Sequence, residues 1–404
     1  MTHDDDDEDE SFWQAKRELV ALPAGKVNLN AGTLSPTPLP VLAAVNRLRG
    51  QMARDPSDFL WRRTGPLIER ARGRLAAYVN CDARDLLLLP NATYAINVVV
   101  NSLQSKLPRG AEILTSDHEY GAMMYTWRRA AERVGWSVRE VTLPFQTGDP
   151  GEIVEAFRRA ITDATKVLYF SHGTTTTGLV LPARELCALA RERGLMTIVD
   201  GAHAPGMVPL DLRAIGADVY AANCHKWMMS PPGAGFLHVA PQHKAGLESL
   251  VTSWGFEYDR ANPEAPSVID ATCWQYDHEF HGTLDRCPQM VLPEALDFRD
   301  SLGGDEAIRA RVRGIATYAR DCLSVACGFA CVTPTNPLMN GPIVAFDYPC
   351  DDPATVRDRL YHEHDIECPV STANGRTFLR VSCAWFVTTE EIDRLAGALV
   401  AMRA

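Results

Sequence analysis

Short apolar runs alternate with segments of helical periodicity between residues 86 and 239. The runs have the length of buried strands, and the helical segments between them carry apolar residues three and four positions apart, as at Met123, Trp127 and Ala131. This alternation predicts an α/β fold with a mostly parallel sheet covered by helices. The predicted strands lie at residues 86–89, 113–116, 134–141, 167–170, 196–199, 217–222 and 234–239.

A second pattern begins near residue 290. Helical segments there are followed by strand-like runs at residues 343–348, 366–370 and 378–382, and the last two can pair through the turn at Ala373-Asn374-Gly375. Thr388 and Glu391 have the spacing of a capping box at the start of a final helix. A chain of 404 residues is also longer than one ordinary domain. We therefore predict a large domain over residues 31–289 and a smaller α+β domain over residues 290–404, with residues 12–30 packing on the small domain.

Charge changes the picture mainly at the N-terminus. The net charge is −11, and residues 4–10 are seven consecutive acids. Such a run repels itself, so we predict a disordered tail over residues 1–11. The acidic balance argues against a nucleic-acid partner, and no apolar stretch is long enough for a membrane span. The eleven cysteines are scattered without a metal-binding spacing, which predicts no metal site and reduced thiols in the cytoplasm.

Polar residues with catalytic potential follow the ends of two predicted strands. Asp200 ends the run at 196–199 and His203 comes three residues later, whereas Asn223, His225 and Lys226 follow the run at 217–222. Open α/β sheets bind their ligands at the carboxyl ends of the strands. Pyridoxal 5′-phosphate (PLP) needs a lysine for a Schiff base with its aldehyde and an acid opposite its ring nitrogen. These residues therefore indicate a PLP site.

Other strand ends carry residues whose role stays open at this level. The turn at Asn91, Ala92 and Thr93 precedes a helix, so it is either an anion site or an ordinary helix cap. His118 and Tyr120 follow the strand at 113–116 and either stack on a flat cofactor or pack within a loop. The basic pair Arg62 and Arg63 is either solvated surface or a contact for an anionic substrate. Aromatic residues between 250 and 285 predict a long loop that lines a site or a subunit interface.

Four motifs in order give a resemblance to a known family. They are VDGAH at 199–203, the Asn-Cys-His-Lys run at 223–226, HGT at 281–283 and LRVS at 379–382. With them the chain resembles the class V aminotransferase-like family of fold-type I PLP enzymes, and within it the isopenicillin N epimerase-like branch, which also includes C–S lyases. The resemblance covers residues 25 to 400 and implies a seven-stranded, mostly parallel sheet in a PLP-binding large domain.

The resemblance also implies roles for individual residues. Lys226 would hold PLP covalently and move protons, Asp200 would pair with the ring nitrogen, and Arg380 would bind the substrate carboxylate with its planar fork. Thr283 would reach the phosphate of the neighbouring subunit, which implies a homodimer with shared sites. The remaining contacts would be His203 and Thr175 near the ring oxygen, Tyr120 stacked on the ring in preference to His118, and Ala92, Thr93, Asn223 and His225 at the phosphate.

Several reactions are compatible with these residues. An epimerase needs proton donors on both faces of Cα. Lys226 is suited to one face, and Tyr120, His118 or a cysteine to the other. A β-lyase needs an acid for the leaving group, and a transaminase needs Lys226 to carry a proton from Cα to the cofactor. A desulfurase is disfavoured because Cys368 lies in an apolar run close to Arg380. We predict an isopenicillin N epimerase-like enzyme, with a C–S β-lyase and then a transaminase as alternatives and a non-catalytic PLP-binding protein as the least favoured.

Where the family commonly has a tyrosine-asparagine pair after LRVS, this chain has Trp385, Phe386 and Val387. The substrate contacts that this pair makes in the family are therefore not expected in this chain.

Overall fold

The computed structural model describes residues 3–257, 262–267 and 270–403. Short helical turns lie at Phe59–Arg63 (π), Ala83–Asp85 and Trp254–Glu257 (both 3-10). The strands are β1 (Val27–Asn28), β2 (Leu86–Leu89), β3 (Glu112–Ser116), β4 (Ser137–Val141), β5 (Thr165–Ser171), β6 (Met196–Asp200), β7 (Val219–Asn223), β8 (Gly235–Val239), β9 (Ile343–Asp347), β10 (Ile366–Glu367), β11 (Val370–Ala373) and β12 (Arg376–Ser382). The helices are α1 (His3–Arg17), α2 (Leu39–Arg54), α3 (Pro56–Asp58), α4 (Thr64–Tyr78), α5 (Ala92–Leu103), α6 (Gly121–Val134), α7 (Pro150–Ala160), α8 (Ala183–Glu192), α9 (Leu212–Ile215), α10 (Pro241–Lys244), α11 (Cys273–Glu279), α12 (Cys287–Met290), α13 (Leu292–Ser301), α14 (Gly304–Cys327), α15 (Pro353–His364) and α16 (Thr389–Ala401).

The predicted strands between 86 and 239 form one seven-stranded sheet in the order β2-β8-β7-β6-β5-β3-β4. Only β8 runs against its neighbours, and the other pairings in this sheet are parallel. The prediction of a mostly parallel sheet covered by helices is therefore confirmed. Because parallel strands end at the same edge, the residues that follow β3, β5, β6 and β7 meet there.

Helices cover both faces of this sheet, which explains why its strands are apolar on both sides. In β2, Leu87 and Leu89 pack into the core on the α5 and α6 face, whereas Leu86 and Leu88 pack into the core on the opposite face. Each buried leucine contributes about 2 kcal/mol through the apolar surface removed from water. The core that contains Leu86 and Leu88 continues into the C-terminal part of the chain, where Leu379 belongs to it.

The C-terminal part contains an antiparallel sheet in the order β11-β12-β9. Asn374 and Gly375 join β11 to β12 with positive φ angles of 51° and 70°, as a two-residue hairpin turn requires. Helices α14 and α16 pack together against this sheet. Arg380 lies within β12, so the hairpin determines where its guanidinium lies.

Residues 12–30 contact this C-terminal sheet and its helices. Val27 pairs with Ile366 in a short parallel ladder between β1 and β10, and the ring centroids of Trp13 and Trp385 are 6.2 Å apart. Arg17 forms an ion pair with Glu391. These contacts link the N-terminal segment to the strand that carries Arg380.

The acidic run at residues 4–10, for which the sequence predicts a disordered tail, lies within helix α1, which begins at His3. Trp13 is buried on this helix, and Glu10 forms an ion pair with Arg311 on α14. The positive charge of Arg311 offsets part of the repulsion between Glu10 and the other acids of the run.

The aromatic stretch between 250 and 285 also differs from the predicted loop. Helix α11 lies within it and starts with a capping box formed by Thr272 and Gln275. Trp274 and Tyr276 on this helix are buried in the fold, whereas Trp254 is exposed. Tyr258 lies outside the described residues. A seven-residue helix that is buried on most sides lacks the one-sided periodicity by which helices are recognised.

Over the described ranges, no helix combines the length and the hydrophobicity needed to cross a membrane. In the same ranges, His, Cys, Asp and Glu side chains form no group suited to a metal ion.

Candidate active site

A cavity of about 210 Å³ lies at the carboxyl edge of the large sheet. The ends of four strands and the start of α5 contribute to its wall, and Arg380 reaches it from the C-terminal part of the chain. The structure thus brings most of the predicted site residues together. The lining residues are Gly32, Thr33, Asn91, Ala92, Thr93, Tyr120, Met123, Ser171, Gly173, Thr175, Asp200, Ala202, His203, Asn223, His225, Lys226 and Arg380.

Lys226 and Asp200 are the charged pair at the centre of this wall. Burial lowers the pKa of the Lys226 amine to about 7, although the charge of Asp200 acts in the opposite direction. Burial also raises the pKa of the Asp200 carboxyl. A lysine with a pKa near 7 has a large fraction of free amine at neutral pH, which is the form that attacks an aldehyde.

His203 holds the Lys226 amine in place. Its Nε2 lies 2.9 Å from Lys226 Nζ and 3.0 Å from Thr175 Oγ1, and Trp227 Nε1 donates to Nδ1 at 3.4 Å. An indole N–H can only donate, so Nδ1 is the acceptor and the neutral ring carries its proton on Nε2. Burial, reinforced by the charge of Lys226, lowers the pKa of His203 well below its usual value. The ring is therefore neutral, and its single Nε2–H faces both Lys226 Nζ and Thr175 Oγ1, which share it.

One corner of the cavity has the donors that a phosphate requires. Helix α5 begins there, and Asn91 caps it by accepting a hydrogen bond from the Tyr94 N–H. Asn223 accepts from the Ala92 N–H at 2.8 Å, which leaves its amide nitrogen as a donor. His225 Nδ1 is buried and has no hydrogen-bond partner among the described residues. A helix N-terminus with such donors is a ready anion site.

A glycine makes this corner possible. A side chain on Gly235 of β8 would place its Cβ 2.7 Å from the Cα of Asn91. Only glycine lets the capping turn approach the sheet so closely.

The opposite side of the cavity carries Arg380, which is 4% exposed. Its terminal nitrogens donate to Asn30 Oδ1 at 2.6 Å, to Thr33 Oγ1 at 2.9 Å and to the Thr175 carbonyl at 3.2 Å. No acidic side chain pairs with it in the described ranges, and its Nε has no partner there. Burial lowers the pKa of this guanidinium to about 10. A buried cation without a counter-ion is suited to a ligand carboxylate.

Tyr120 and His118 take different places. Tyr120 lines the cavity and is 48% exposed. His118 is buried away from it, with its ring nitrogens 3.2 Å from Thr177 Oγ1 and 3.3 Å from the Leu143 carbonyl. The structure therefore leaves Tyr120 as the aromatic residue of this turn that lies beside the cavity.

Three predicted site residues do not line the cavity of this chain. Arg62 is exposed and pairs with Asp58 at 3.3 Å, and Arg63 donates to Gln51 at 2.8 Å. Both follow α3 on a segment whose polar partners are local, so the contact with an anionic substrate stays a prediction. Thr283 is exposed after Gly282, whose φ is 90°. Its predicted contact with a neighbouring subunit's phosphate stays a prediction as well.

Sequence reasoning missed several residues that support the site. Asn30 and Thr33 hold Arg380 from the N-terminal segment, and Tyr169 donates to Asp200 Oδ2 at 3.3 Å. Glu119 contacts Ser171 on the cavity wall. Tyr169 and Ser171 share one face of β5 by their spacing of two, which was an available indication. Asn30 and Thr33 had none, because folding brings them to Arg380 from the far end of the chain.

The donor set fits PLP. Asp200 would supply an acid for the ring nitrogen, Lys226 would supply an amine for the aldehyde, and the start of α5 with His225 would supply donors for the phosphate. Among the residues that line the cavity, His225 and Arg380 each carry a buried nitrogen without a hydrogen-bond partner in the described ranges. They match a phosphate and a substrate carboxylate, respectively.

Comparison with known proteins gives the same class. The model of the aminotransferase class-V family matches residues 27–395, so the chain belongs to that family. It is a PLP-dependent enzyme, as the resemblance predicts. The fold is also that of solved PLP enzymes. A mutant of C-DES with glycine covalently linked to the PLP cofactor superposes with a TM-score of 0.81 at 21% identity, over 95% of this chain and 98% of that chain.

Two bacterial relatives are more similar. Isopenicillin N epimerase of Amycolatopsis lactamdurans is 42% identical, over 96% of this chain and 98% of the relative. Isopenicillin N epimerase of Streptomyces clavuligerus is 40% identical over the same shares. Putative L-cysteine desulfhydrase 1 of Oryza sativa subsp. japonica is 28% identical, over 96% of this chain and 86% of the relative. The predicted similarity to the isopenicillin N epimerase-like branch is confirmed.

Asp200→Asn should separate catalysis from folding. The amide cannot carry the negative charge that stabilises a protonated ring nitrogen, so we expect kcat to fall about 100-fold or more. Burial raises the pKa of the Asp200 carboxyl. The folded protein therefore loses stability when this carboxyl becomes charged, as pH rises through its folded-state pKa. Apo Asp200→Asn should therefore melt no lower than the wild type at pH 8. Steady-state kinetics and thermal melts measure both effects.

Asp218→Asn is the matched control. Asp218 accepts from the Thr197 N–H and hydroxyl at 2.8 and 2.9 Å, away from the cavity. The Asp218→Asn substitution should lower the melting temperature and leave kcat nearly unchanged. A stable Asp200→Asn protein with full activity would refute the assigned role of Asp200.

Proposed function

We propose that this enzyme epimerises Cα of an amino-acid unit in its substrate, with isopenicillin N as the first substrate to test. The observation that carries the proposal is the 42% and 40% identity, over nearly the whole chain, to two proteins named isopenicillin N epimerase. The desulfhydrase relative is more distant, at 28% identity.

The positions of Lys226 and Tyr120 support proton transfer on two faces. They follow β7 and β3, which are separated in the sheet by β6 and β5. Three strand spacings of ~4.8 Å place those strand ends about 14 Å apart, and both side chains line the cavity between them. Epimerisation removes the Cα proton on one face and returns a proton on the other. The Lys226 amine and the Tyr120 hydroxyl are suited to these two tasks.

Arg380 keeps the reacting carbon fixed while the proton changes face. Its guanidinium is held by Asn30, Thr33 and Thr175, so a carboxylate bound to it has a defined position. When bound, PLP withdraws electrons from Cα of an amino acid joined to its aldehyde carbon and makes the Cα proton acidic. The chain's own contribution is the orientation of Cα between Lys226 and Tyr120.

Tyr120→Phe tests whether Lys226 and Tyr120 transfer protons on opposite faces of Cα. Removing one of two proton donors should reduce epimerisation about 100-fold or more, while exchange of the Cα proton with retained configuration continues through Lys226. The measurement is the ratio of exchange to inversion in deuterated water. Tyr125→Phe is the control, because Tyr125 lies on α6, the helix that follows Tyr120, and is 71% exposed. Equal loss of exchange and inversion in Tyr120→Phe would argue against a proton-transfer role for Tyr120.

A C–S β-lyase is the second candidate. The desulfhydrase relative favours it, and Tyr120 beside the cavity could protonate a sulfur leaving group. Transamination has less support, because no relative named above is an aminotransferase by its own name. Release of pyruvate and a thiol from cysteine conjugates, without epimer formation, would favour the lyase.

We also propose that the enzyme is a homodimer that binds no nucleic acid or membrane. Support comes from the exposed loop at Gly282 and Thr283 and from exposed apolar side chains, Leu284 in that loop and Leu34 next to the cavity-lining Thr33. The scattered spacing of the eleven cysteines supports reduced thiols and a cytoplasmic location. Sedimentation of the holoenzyme should give twice the chain mass, and a stable active monomer would refute shared sites.

The function is tested by incubating the PLP-loaded enzyme with isopenicillin N and separating the diastereomers. We expect a mixture of the two epimers to form from either one. Accumulation of a keto acid or pyruvate, with no second epimer, would contradict the proposal.

A further inference from the structure

Glu119 is a carboxyl group at the cavity wall that the proposed reaction does not use. Its two oxygens accept hydrogen bonds from different serines, Ser116 Oγ at 2.5 Å and Ser171 Oγ at 2.5 Å. No lysine or arginine forms an ion pair with it in the described part of the chain. The group is therefore held by the two serine hydroxyls and by a backbone hydrogen bond of Ser171, without an ion pair.

The two serines belong to neighbouring strands. Ser116 ends β3 and Ser171 ends β5, where it pairs in register with Asp200 of β6. Ser171 also lines the cavity, and Tyr120 directly follows Glu119. The carboxyl thus connects the turn that presents Tyr120 to the strand beside Asp200.

The surroundings of Glu119 favour its neutral form. Burial raises the pKa of the carboxyl to about 8, and the charge of Asp200 adds to the shift. The other titratable groups near it are Tyr169 on β5, which is also buried, and Asp117 and His118 on its own turn. A neutral carboxyl can accept from one serine and donate to the other, so it keeps both links without placing a second negative charge beside Asp200.

We propose that Glu119 is a positioning residue of the cofactor site, which fixes Tyr120 and the Ser171 strand end around the cofactor ring through its two serine hydrogen bonds. This role requires only that PLP binds and is independent of which bond at Cα breaks. A failure of the epimerase proposal therefore leaves it untouched.

The test compares Glu119→Gln with Glu119→Ala. Glutamine can accept from one serine and donate to the other, so we expect apo Glu119→Gln to bind PLP within about twofold of the wild type. Alanine loses both hydrogen bonds, and its PLP affinity should fall about tenfold. Titration of the apo proteins with PLP, followed by the cofactor's absorbance, gives both values. Glu132→Gln is the control, because Glu132 is exposed on α6.

A second readout uses the apo proteins alone. The folded-state pKa of about 8 lies above the ordinary value of 4.5. The stability that the neutral carboxyl contributes is complete below the lower value and is lost as pH rises through the higher one. The melting temperature of the wild type should therefore fall more between pH 6 and pH 9 than that of Glu119→Gln.

Two outcomes would overturn the proposal. One is a folded Glu119→Ala protein that binds PLP like the wild type. The other is a Glu119→Gln protein that loses as much PLP affinity as Glu119→Ala, because a charge rather than the two hydrogen bonds would then be required. Should Glu119→Ala not fold, Ser171→Ala removes one link and keeps the carboxyl. Its PLP affinity should fall several-fold, and unchanged affinity would overturn the proposal.

Discussion

Replacing Lys226 with alanine is expected to abolish turnover and to remove the visible absorbance of the lysine-bound cofactor. We propose that Lys226 both holds the cofactor covalently and transfers protons, and its pKa of about 7 gives a large fraction of free amine at neutral pH. The loss in kcat should be at least about a thousandfold. Borohydride followed by proteolysis should label the peptide that contains Lys226 in the wild type and none in the variant.

Lys244→Ala is the matched control for this prediction. Lys244 is also buried, but it forms ion pairs with Asp85 at 2.7 Å and Glu264 at 2.9 Å. Its loss should lower the melting temperature and leave the cofactor absorbance in place. Retained absorbance and borohydride labelling in Lys226→Ala would show that another residue holds the cofactor.

Replacing Arg380 with alanine should have the second-largest effect, and it should act on substrate binding. Its guanidinium is buried without an acidic partner in the described ranges and lies at the cavity. Losing a charge-assisted, two-point contact with a carboxylate costs about 3 kcal/mol, or roughly 100-fold in kcat/KM. We expect most of this loss in KM, because the carboxylate contact is equally strong before and during the reaction.

The melting temperature of Arg380→Ala and its rescue by guanidinium salts distinguish a loss of substrate binding from misfolding. Burial lowers the pKa of Arg380 to about 10, so the folded protein disfavours its charge, and apo Arg380→Ala should melt close to the wild type. Added guanidinium salts should restore part of the activity. Arg376→Ala is the control, because Arg376 lies on the same strand but pairs with Asp347 at 3.1 Å near the surface. A normal KM in Arg380→Ala would refute carboxylate binding by this residue.

The parts of the fold that the sequence predicts well are those set by local patterns. The strands of the large sheet are apolar on both faces and are bounded by turns, so β2 and β6 lie where the pattern predicts them. The β11-β12 hairpin follows from the Asn374-Gly375 turn. Helix α11 was missed because it is short and buried on most sides.

The same distinction applies to the site. Lys226, Asp200 and Asn223 follow strand ends, so parallel topology alone brings them together. Asn30 and Thr33 meet Arg380 only in the folded chain, across more than 340 intervening residues. Glu119 was overlooked because an acid in a polar turn looks solvated until the serines around it are known. Residues that act by supporting others leave little trace in a single sequence.

The most direct test of the central claim is the fate of the Cα proton. The PLP-loaded enzyme is incubated with isopenicillin N in deuterated water, and the products are resolved by configuration and by deuterium content. We predict deuterium at Cα in the inverted epimer, with the remaining structure intact. Formation of a keto acid with the pyridoxamine form of the cofactor, or release of pyruvate without any inverted epimer, would contradict it.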